Sequence, residues 1–269
     1  MTPTPDSKLR TPSNLRLRMI ASVVMILVAS AALYVGDVFF WLLAVVVALF
    51  MMAEWANLSG ATAREKRIGQ FALSVPLAIM GPEWLIIETR PFFTLGLLAG
   101  ATFFMLIITN KRQLSAGIIY CGLPVLALTL LRVQPNGMIL TLWTLALVWM
   151  TDIGAFFTGR TLRGPKLAPR ISPAKTWSGL IGGILLATAL AVAMHAYYGL
   201  PLRLVVATPL LAILAQVGDL FESAIKRRAG VKDSGHTLPG HGGVLDRLDG
   251  VVPVAPVAAL LVMLPLLLA

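Results

Sequence analysis

Residues 223–249 read SAIKRRAGVKDSGHTLPGHGGVLDRLD and form the longest polar run in the second half of an apolar chain. Five Lys or Arg residues, three carboxylates and two histidines fall within it. On both sides the sequence is apolar over roughly 20 residues, the length that a membrane-spanning helix needs. The polar run therefore predicts where the chemistry takes place, and the flanking helices would hold it at a membrane surface.

The composition excludes a soluble protein. Of 269 residues, 58% are hydrophobic and 13% are charged, and the mean hydropathy is +0.85, whereas soluble domains carry about 25% charged residues. No stretch outside the apolar segments is long enough for a separate soluble domain, so we expect one membrane-embedded catalytic domain over 1–269. The single cysteine, Cys121, rules out a disulfide within the chain and a cysteine-based metal site.

The apolar segments predict an all-α, polytopic membrane protein with about nine transmembrane helices. The third segment contains Pro76, Gly81 and Pro82, which predicts a kinked or re-entrant helix. The expected spans are 19–35, 38–56, 70–87, 92–109, 114–131, 138–157, 177–198, 203–222 and 251–268.

Basic residues alternate in density between successive loops. With the N-terminus inside, 19 of the 22 Lys and Arg residues fall on the inner side, and only Arg90, Arg132 and Arg203 fall outside. Cytoplasmic loops carry this excess, so we expect a cytoplasmic tail over 1–18, an outer C-terminus, and active-site loops 158–176 and 223–250 that face the cytoplasm from the inner membrane. Topology thus explains the net charge of +10 without a nucleic-acid partner.

Acidic residues occur at the ends of, and inside, apolar segments. A carboxylate at the centre of a membrane helix costs about 3 kcal/mol, and such residues are usually functional. Asp152 lies within the sixth span, and Asp246 and Asp249 stand three residues apart just before the last span. Four further residues have the i, i+3, i+4, i+7 spacing of one helix face, namely Asp219, Glu222, Ser223 and Lys226.

These acids, cations and glycines together favour a site for a divalent cation and phosphate. Mg²⁺ binds through one or two carboxylates together with substrate phosphate oxygens, and Lys or Arg neutralises the remaining charge. Glycines let backbone amides approach a phosphate, and His241, Gly242 and Gly243 fit such a loop. The alternative is a solvated loop whose carboxylates pair with lysines.

The loop before the seventh span carries five cations and no acid. Ser172 and Pro173 fit the N-cap and first position of that helix. Lys175 and Thr176 would then lie in its first turn, where free amides and the helix dipole favour an anion. Positive-inside topology and a helix start would explain much of this loop equally well. Glu54, at the inner end of the second span, is expected to be an interface residue.

The pattern S-x-x-K-R-x-x-x-x-K-D-x-x-x-x-x-P-G-H-G-G-x-x-D-R-x-D over 223–249 resembles the signature of the phosphatidate cytidylyltransferase family. The motif D-x-G-A-F-F-x-G-R over 152–160 and the segment 166–179 are similar to a second motif of that family. Ser178 departs from the pattern because an acidic residue is expected before Gly179, which leaves the role of a carboxylate there in doubt.

The resemblance implies a homodimeric membrane enzyme that converts CTP and phosphatidate into CDP-diacylglycerol and pyrophosphate with Mg²⁺, with a monovalent cation as a possible second ion. Our hypothesis assigns the metal to Asp219, Asp246 and Asp249, and catalysis to these three residues with Lys226. We expect the substrates to contact a wider set: Asp152, Arg160, Ser172, Lys175, Thr176, Ser223, Arg227, Lys232, Asp233, His241, Gly242, Gly243 and Arg247.

Two alternatives remain open from the sequence. A transporter of an anionic solute could use the same loops as a cytoplasmic vestibule, although such proteins usually show paired halves with broken helices. A cytidylyltransferase for another lipid phosphate, such as an ether lipid or polyprenyl phosphate, would need the same polar groups, because apolar walls do not report the chemistry of the tail.

Overall fold

The computed structural model describes residues 12–81, 91–235, 237–238 and 242–268. In this part of the chain, ten helices and one two-stranded sheet follow one another. Their bounds are α1 Pro12–Val35, α2 Asp37–Leu58, α3 Ala63–Ile79, α4 Pro91–Thr109, α5 Arg112–Val133, α6 Gly137–Thr161, β1 Lys166–Ala168, β2 Ser172–Thr176, α7 Trp177–Tyr198, α8 Leu202–Arg228, α9 Leu245–Leu248 and α10 Val251–Leu268.

Six of the described helices are long and apolar enough to cross a membrane, which confirms the prediction of a mainly helical chain with several candidate membrane spans. They are Asp37–Leu58, Phe92–Thr109, Arg112–Val133, Gly137–Thr161, Trp177–Tyr198 and Leu202–Arg228. The first and last expected spans correspond to shorter apolar stretches, Val23–Val35 and Val251–Pro265. Helix α3 ends at Ile79, and the rest of the expected third span lies largely outside the described residues. The number nine and the orientation therefore stay predictions.

Two hydrophobic cores lie side by side and share α5. The first packs α2, α3 and α4 against the N-terminal part of α5, and includes Val244 and Leu245 from the polar run. The second packs α6, α7, α8 and α10 against the C-terminal part of α5. Leu248 contacts both cores. The end of the polar run is therefore wedged between the two bundles, which fixes its position relative to both.

The expected start of the seventh helix at Ser172 is wrong, and the fold is not purely helical. Residues 166–168 and 172–176 form an antiparallel hairpin in which Lys166 pairs with Thr176 and Ala168 with Ser172. Both strands are edges, where a proline such as Pro173 is tolerated. The helix begins at Trp177 because the Thr176 hydroxyl accepts a hydrogen bond from the Gly179 amide at 3.1 Å, which is N-capping.

Helix α8 continues through the first six residues of the polar run and ends at Arg228. The expected helical face is confirmed, because the Ser223 hydroxyl donates to Asp219 at 3.3 Å and Lys226 lies 3.4 Å from Glu222. The eighth helix thus extends the bundle into the polar run and carries the acids and the lysine on one side.

Candidate active site

A lysine from the hairpin meets an acid from α8. The Lys175 ammonium lies 2.5 Å from Asp219, and both side chains are partly accessible. Lys175 lies in β2, which spans Ser172–Thr176. Its predicted position in the first turn of a helix is therefore wrong. The hairpin brings it to Asp219, which also accepts the hydrogen bond from Ser223. The hairpin and the start of the polar run thus meet at Asp219.

A second lysine lies between two acids. The Lys226 ammonium donates to Asp246 at 2.6 Å and lies 3.4 Å from Glu222, whose side chain is fully buried. Asp246 also accepts hydrogen bonds from the backbone amides of Ser234 and Gly243 at 3.0 and 2.8 Å. Burial alone would raise the pKa of Asp246, but its bonds with Lys226 and the amides hold it below the ordinary value. Asp246 is therefore ionised and firmly held.

Asp249 follows the short helix α9 and turns toward α8. Its carboxylate accepts a hydrogen bond from the Gly250 amide at 2.7 Å. Burial and the neighbouring charge of Asp219 raise the pKa of Asp249 to about 7. Asp152 of α6 also interacts electrostatically with Asp219, and with Lys175 and Arg247. Acids from α6, α8 and the turn before α10 therefore repel one another within one region.

The glycines of the loop allow close backbone contacts. Gly242 has a φ of +83° and forms a β-bridge with Leu238. A Cβ at Gly242 would come within 2.8 Å of the Asp246 carboxylate, and one at Gly243 would come within 2.5 Å of Glu54. These two glycines shape the backbone around the acids. His241 lies outside the described residues, so its expected contact with phosphate stays a prediction.

Several expected substrate residues are not members of the two lysine–acid pairs. Arg227, Lys232, Asp233 and Arg247 are exposed on the polar run, and the Arg227 guanidinium donates to the Val231 carbonyl at 3.2 Å. Two others lie on the α6–hairpin side: Arg160 stacks 5.8 Å from the Phe156 ring, and Ser172 pairs with Ala168. Their assignment to substrate stays a prediction.

Ser178 has a structural contact at the position where an acid was expected. Its hydroxyl donates to the Arg163 carbonyl and lies 3.1 Å from the Thr176 hydroxyl. The same turn receives Thr158 of α6, which donates to the Ser178 carbonyl at 3.2 Å. Ser178 therefore ties the loop after α6 to the start of α7.

Glu54 of α2 is the residue that the sequence interpretation missed. It is 3% exposed and accepts hydrogen bonds from four donors of the polar run, so it is not an interface residue. Glu54 lies inside the apolar stretch FMMAEWA, so the sequence carried the same signal that singled out Asp152, an acid within a span.

Trp55, next to Glu54, stacks on Tyr120 at 4.5 Å, and Tyr120 contacts Phe221 of α8.

The donor set of this region suits a hard divalent cation, whose ligands are carboxylate oxygens. Glu222 is fully buried, neither of its oxygens accepts a hydrogen bond from the described donors, and it faces Asp249 and Asp246. Among the described residues, however, no three acid, histidine or cysteine side chains converge in a coordinating arrangement. The lysines hold Asp219 and Asp246 instead, so the chemistry fits a metal, while the ligand set stays a proposal.

An apolar groove runs beside the acids on the outer face of the bundle. It has a volume of about 370 Å³ and lies between α5, α8 and α10. Tyr120, Gly218, Phe221 and Pro253 are among its lining residues. A Cβ at Gly218 would contact the Asp249 carbonyl, so the groove begins next to the acid cluster. Its walls could hold a hydrocarbon chain close to a polar head group.

These features define a helical membrane protein with a cationic and acidic site for a charged ligand beside an apolar groove. The sequence matches the cytidylyltransferase family over residues 16–264, and the chain belongs to that family and is an enzyme of it. It is 41% identical over 255 residues to a phosphatidate cytidylyltransferase of Brucella suis, covering 90% of this chain and 91% of the relative. It is 30% identical to the protein of that name from Rickettsia typhi, covering 91% and 90%.

Proposed function

We propose that this enzyme condenses CTP with phosphatidate to give CDP-diacylglycerol and pyrophosphate, with Mg²⁺, as a step of phospholipid biosynthesis. The observation that carries the proposal is the pairing of two lysines with acids from separate segments, Lys175 with Asp219 and Lys226 with Asp246. Two relatives named phosphatidate cytidylyltransferase, which cover 90% and 91% of this chain, support the same reaction. The family membership also favours an enzyme over the anion transporter.

The reaction needs in-line displacement and no covalent intermediate with the protein. A phosphate oxygen of phosphatidate forms a bond to the α-phosphorus of CTP, and the bond from that phosphorus to the bridging oxygen breaks. Pyrophosphate leaves with the electron pair. Both substrates are polyanions, so positioning and charge neutralisation supply most of the catalysis. A bound Mg²⁺ would add Lewis-acid stabilisation of the phosphoryl oxygens.

The residues divide these tasks by location. Lys175 and Lys226 would exchange a carboxylate partner for a phosphate oxygen when substrate binds, because Lys binds phosphate as a point charge. Asp219, Asp249 and Asp246 would hold the metal, with the buried Glu222 beside them on α8. The apolar groove beside Gly218 would take a hydrocarbon tail of the lipid, so that its head group lies at the acids.

Purified enzyme in detergent, given radiolabelled CTP and a panel of lipid phosphates, tests the reaction. We expect incorporation into phosphatidate, release of pyrophosphate, and loss of both on chelation of divalent metal. Asp246→Asn should lower turnover about 100-fold or more, the scale of lost transition-state charge stabilisation. Glu65→Gln is the matched control, because Glu65 pairs with Lys111 at 2.8 Å outside the site. Normal turnover of Asp246→Asn would refute the role of Asp246, and preference for another lipid phosphate would redirect the substrate assignment.

We also infer that the site faces the cytoplasm, where CTP is made, with the N-terminus on the same side in the inner membrane. The excess of cations on one side supports this orientation. The only native cysteine, Cys121, is buried, so an introduced cysteine can report the side. Lys232→Cys, in the polar run, should react with a membrane-impermeant maleimide only in inverted vesicles. Tyr198 ends α7, at the opposite end of that helix from the hairpin, so Tyr198→Cys should react only in right-side-out cells. The reverse pattern would overturn the orientation. The homodimer remains an expectation from the family resemblance.

A further inference from the structure

Glu54 holds the polar loop against α2 through both of its oxygens. Oε1 accepts hydrogen bonds from the Thr237 hydroxyl at 2.6 Å and the Val244 amide at 3.0 Å. Oε2 accepts from the Ser234 hydroxyl at 3.1 Å and the Leu245 amide at 2.8 Å. A carboxylate offers about four lone-pair sites, so four donors from the loop satisfy this buried side chain.

The loop is shaped to reach this carboxylate. A Cβ at Gly235 would lie 2.7 Å from Oε1 of Glu54, and a Cβ at Gly243 would lie 2.5 Å from Oε2. A Cβ at either position would force the Glu54 carboxylate to move away from its four donors, so glycine at both positions lets the backbone lie this close. The backbone contact and the hydrogen bonds are separate observations, and both place the loop on Glu54.

Ser234 connects Glu54 with the acid cluster. Its hydroxyl donates to Glu54, while its amide donates to both oxygens of Asp246 at 3.1 and 3.0 Å. Lys226 of α8 binds Asp246 from the other side. A continuous set of polar contacts therefore runs from α2 through the loop to α8, and Asp246 lies in the middle of it.

Glu54 also binds the start of α9, through the amides of Val244 and Leu245. Val244 is the N-cap residue of α9 and supplies no side-chain cap, and the Glu54 carboxylate accepts from its amide and from that of Leu245, two of the amides that a helix start leaves without an intrahelical partner. Asp246 lies in the first turn of α9, and Asp249 ends it. The orientation of both acids therefore depends on how α9 is fixed to α2.

We propose that Glu54 is a positioning residue for the acid cluster, which it holds in place by binding the loop and the start of α9. The inference rests on the proposed metal-dependent reaction for its functional consequence, but its structural consequence is independent of that reaction. Glu54 contacts no acid of the cluster directly in the described structure. Removing a group that orients a metal ligand without touching the metal typically lowers metal affinity or activity about 10- to 100-fold.

Two measurements on the full-length protein in detergent test the proposal. In Glu54→Gln, we expect amide hydrogen exchange over residues 242–248 to be at least about 10-fold faster without metal, while exchange in α6 and α7 is unchanged. The Mg²⁺ concentration for half-maximal activity should rise about 10-fold or more, with kcat recovered at high Mg²⁺. A merely structural loss would lower the active fraction and leave the half-maximal concentration unchanged.

Matched variants make the result decisive. Ser234→Ala removes one bond to Glu54 and keeps the amide that binds Asp246, so it should show a smaller shift of the same kind, even if Glu54→Gln does not fold. Glu65→Gln removes an acid outside the loop and should leave both measurements as in the wild type. Wild-type exchange over 242–248 in both Glu54→Gln and Ser234→Ala would overturn the proposal. Faster exchange in a protein whose wild type makes no CTP-dependent lipid would support the clamp and refute the reaction instead.

Discussion

Replacing Lys226 with methionine tests whether one ammonium group holds two acids together. Lys226→Met keeps the length and the apolar stem of the side chain and removes its charge. In the structure that charge lies 2.6 Å from Asp246 and 3.4 Å from the fully buried Glu222. Asp246 keeps its hydrogen bonds from Ser234 and Gly243. Glu222, which accepts no hydrogen bond from the described donors, loses the cation beside it.

The expected size follows from these contacts. A buried charge left without its partner costs about 3–5 kcal/mol, so Lys226→Met should lower the free energy of unfolding by about that amount. Glu222→Gln alone should change it by less than about 1 kcal/mol, because Lys226 keeps Asp246. The double variant loses one charge-assisted hydrogen bond to Asp246, worth about 1.5–3 kcal/mol. The coupling energy between positions 222 and 226 is then about 2 kcal/mol.

The assay is denaturant unfolding in detergent, followed by tryptophan fluorescence, with chelator present so that bound metal does not add stability. Each variant is measured beside Lys111→Met, which breaks the accessible ion pair with Glu65 and should cost less than about 1 kcal/mol. If the single and double variants are equally destabilised, Glu222 does not depend on Lys226, and the charge network derived from the structure is incorrect.

Three further outcomes can be measured. Because the pKa of Asp249 is raised to about 7, divalent-metal affinity should rise as the pH increases through 7, with release of a proton. Metal-free stability should fall as the pH rises from about 4, the ordinary pKa of an aspartate, to about 7, and then level off, because over that range the folded state keeps the Asp249 proton and the unfolded state does not. Calorimetry that shows pH-independent metal binding would contradict this. Gly243→Ala should destabilise the protein by about 1–3 kcal/mol, while Gly96→Ala, with open space around it, should leave the packing unchanged, as melting curves would show. Thr176→Val should cost about 1 kcal/mol through its lost N-cap bond to Gly179, and unchanged unfolding would argue against that cap.

Local patterns in the sequence predicted the features that depend on period and composition. The spacing from Asp219 to Lys226 predicted one helix face because the helical repeat alone determines it, and the structure confirms it. The apolar lengths predicted most of the spanning helices for the same reason. The expected proximity of the two polar segments is seen at Asp219, which Lys175 and Ser223 both contact, while the ligand that they would share stays a prediction.

Contacts between residues that lie far apart in the chain could not be predicted from local sequence patterns. Ser172 and Pro173 satisfy a helix-start pattern locally, yet pairing with residues 166–168 places them in a strand. Glu54 has the same sequence context as an interface acid, and only its donors at positions 234–245 distinguish it. Charge signs do not reveal which acid each lysine holds, so the metal ligand set stays a proposal.

The separation between Glu54 and its partners has a consequence for biogenesis. The four donors lie 180–191 residues further along the chain, and ribosomes add about 5–20 residues per second. For roughly 10–40 s after α2 is synthesised, its carboxylate therefore has none of these partners, at a stage when neighbouring helices are already entering the bilayer. Assembly of the two bundles therefore cannot be complete until the polar loop and α10, which follows it in the chain, have docked. Chains that stop before position 234 would leave the Glu54 carboxylate without any of these four donors.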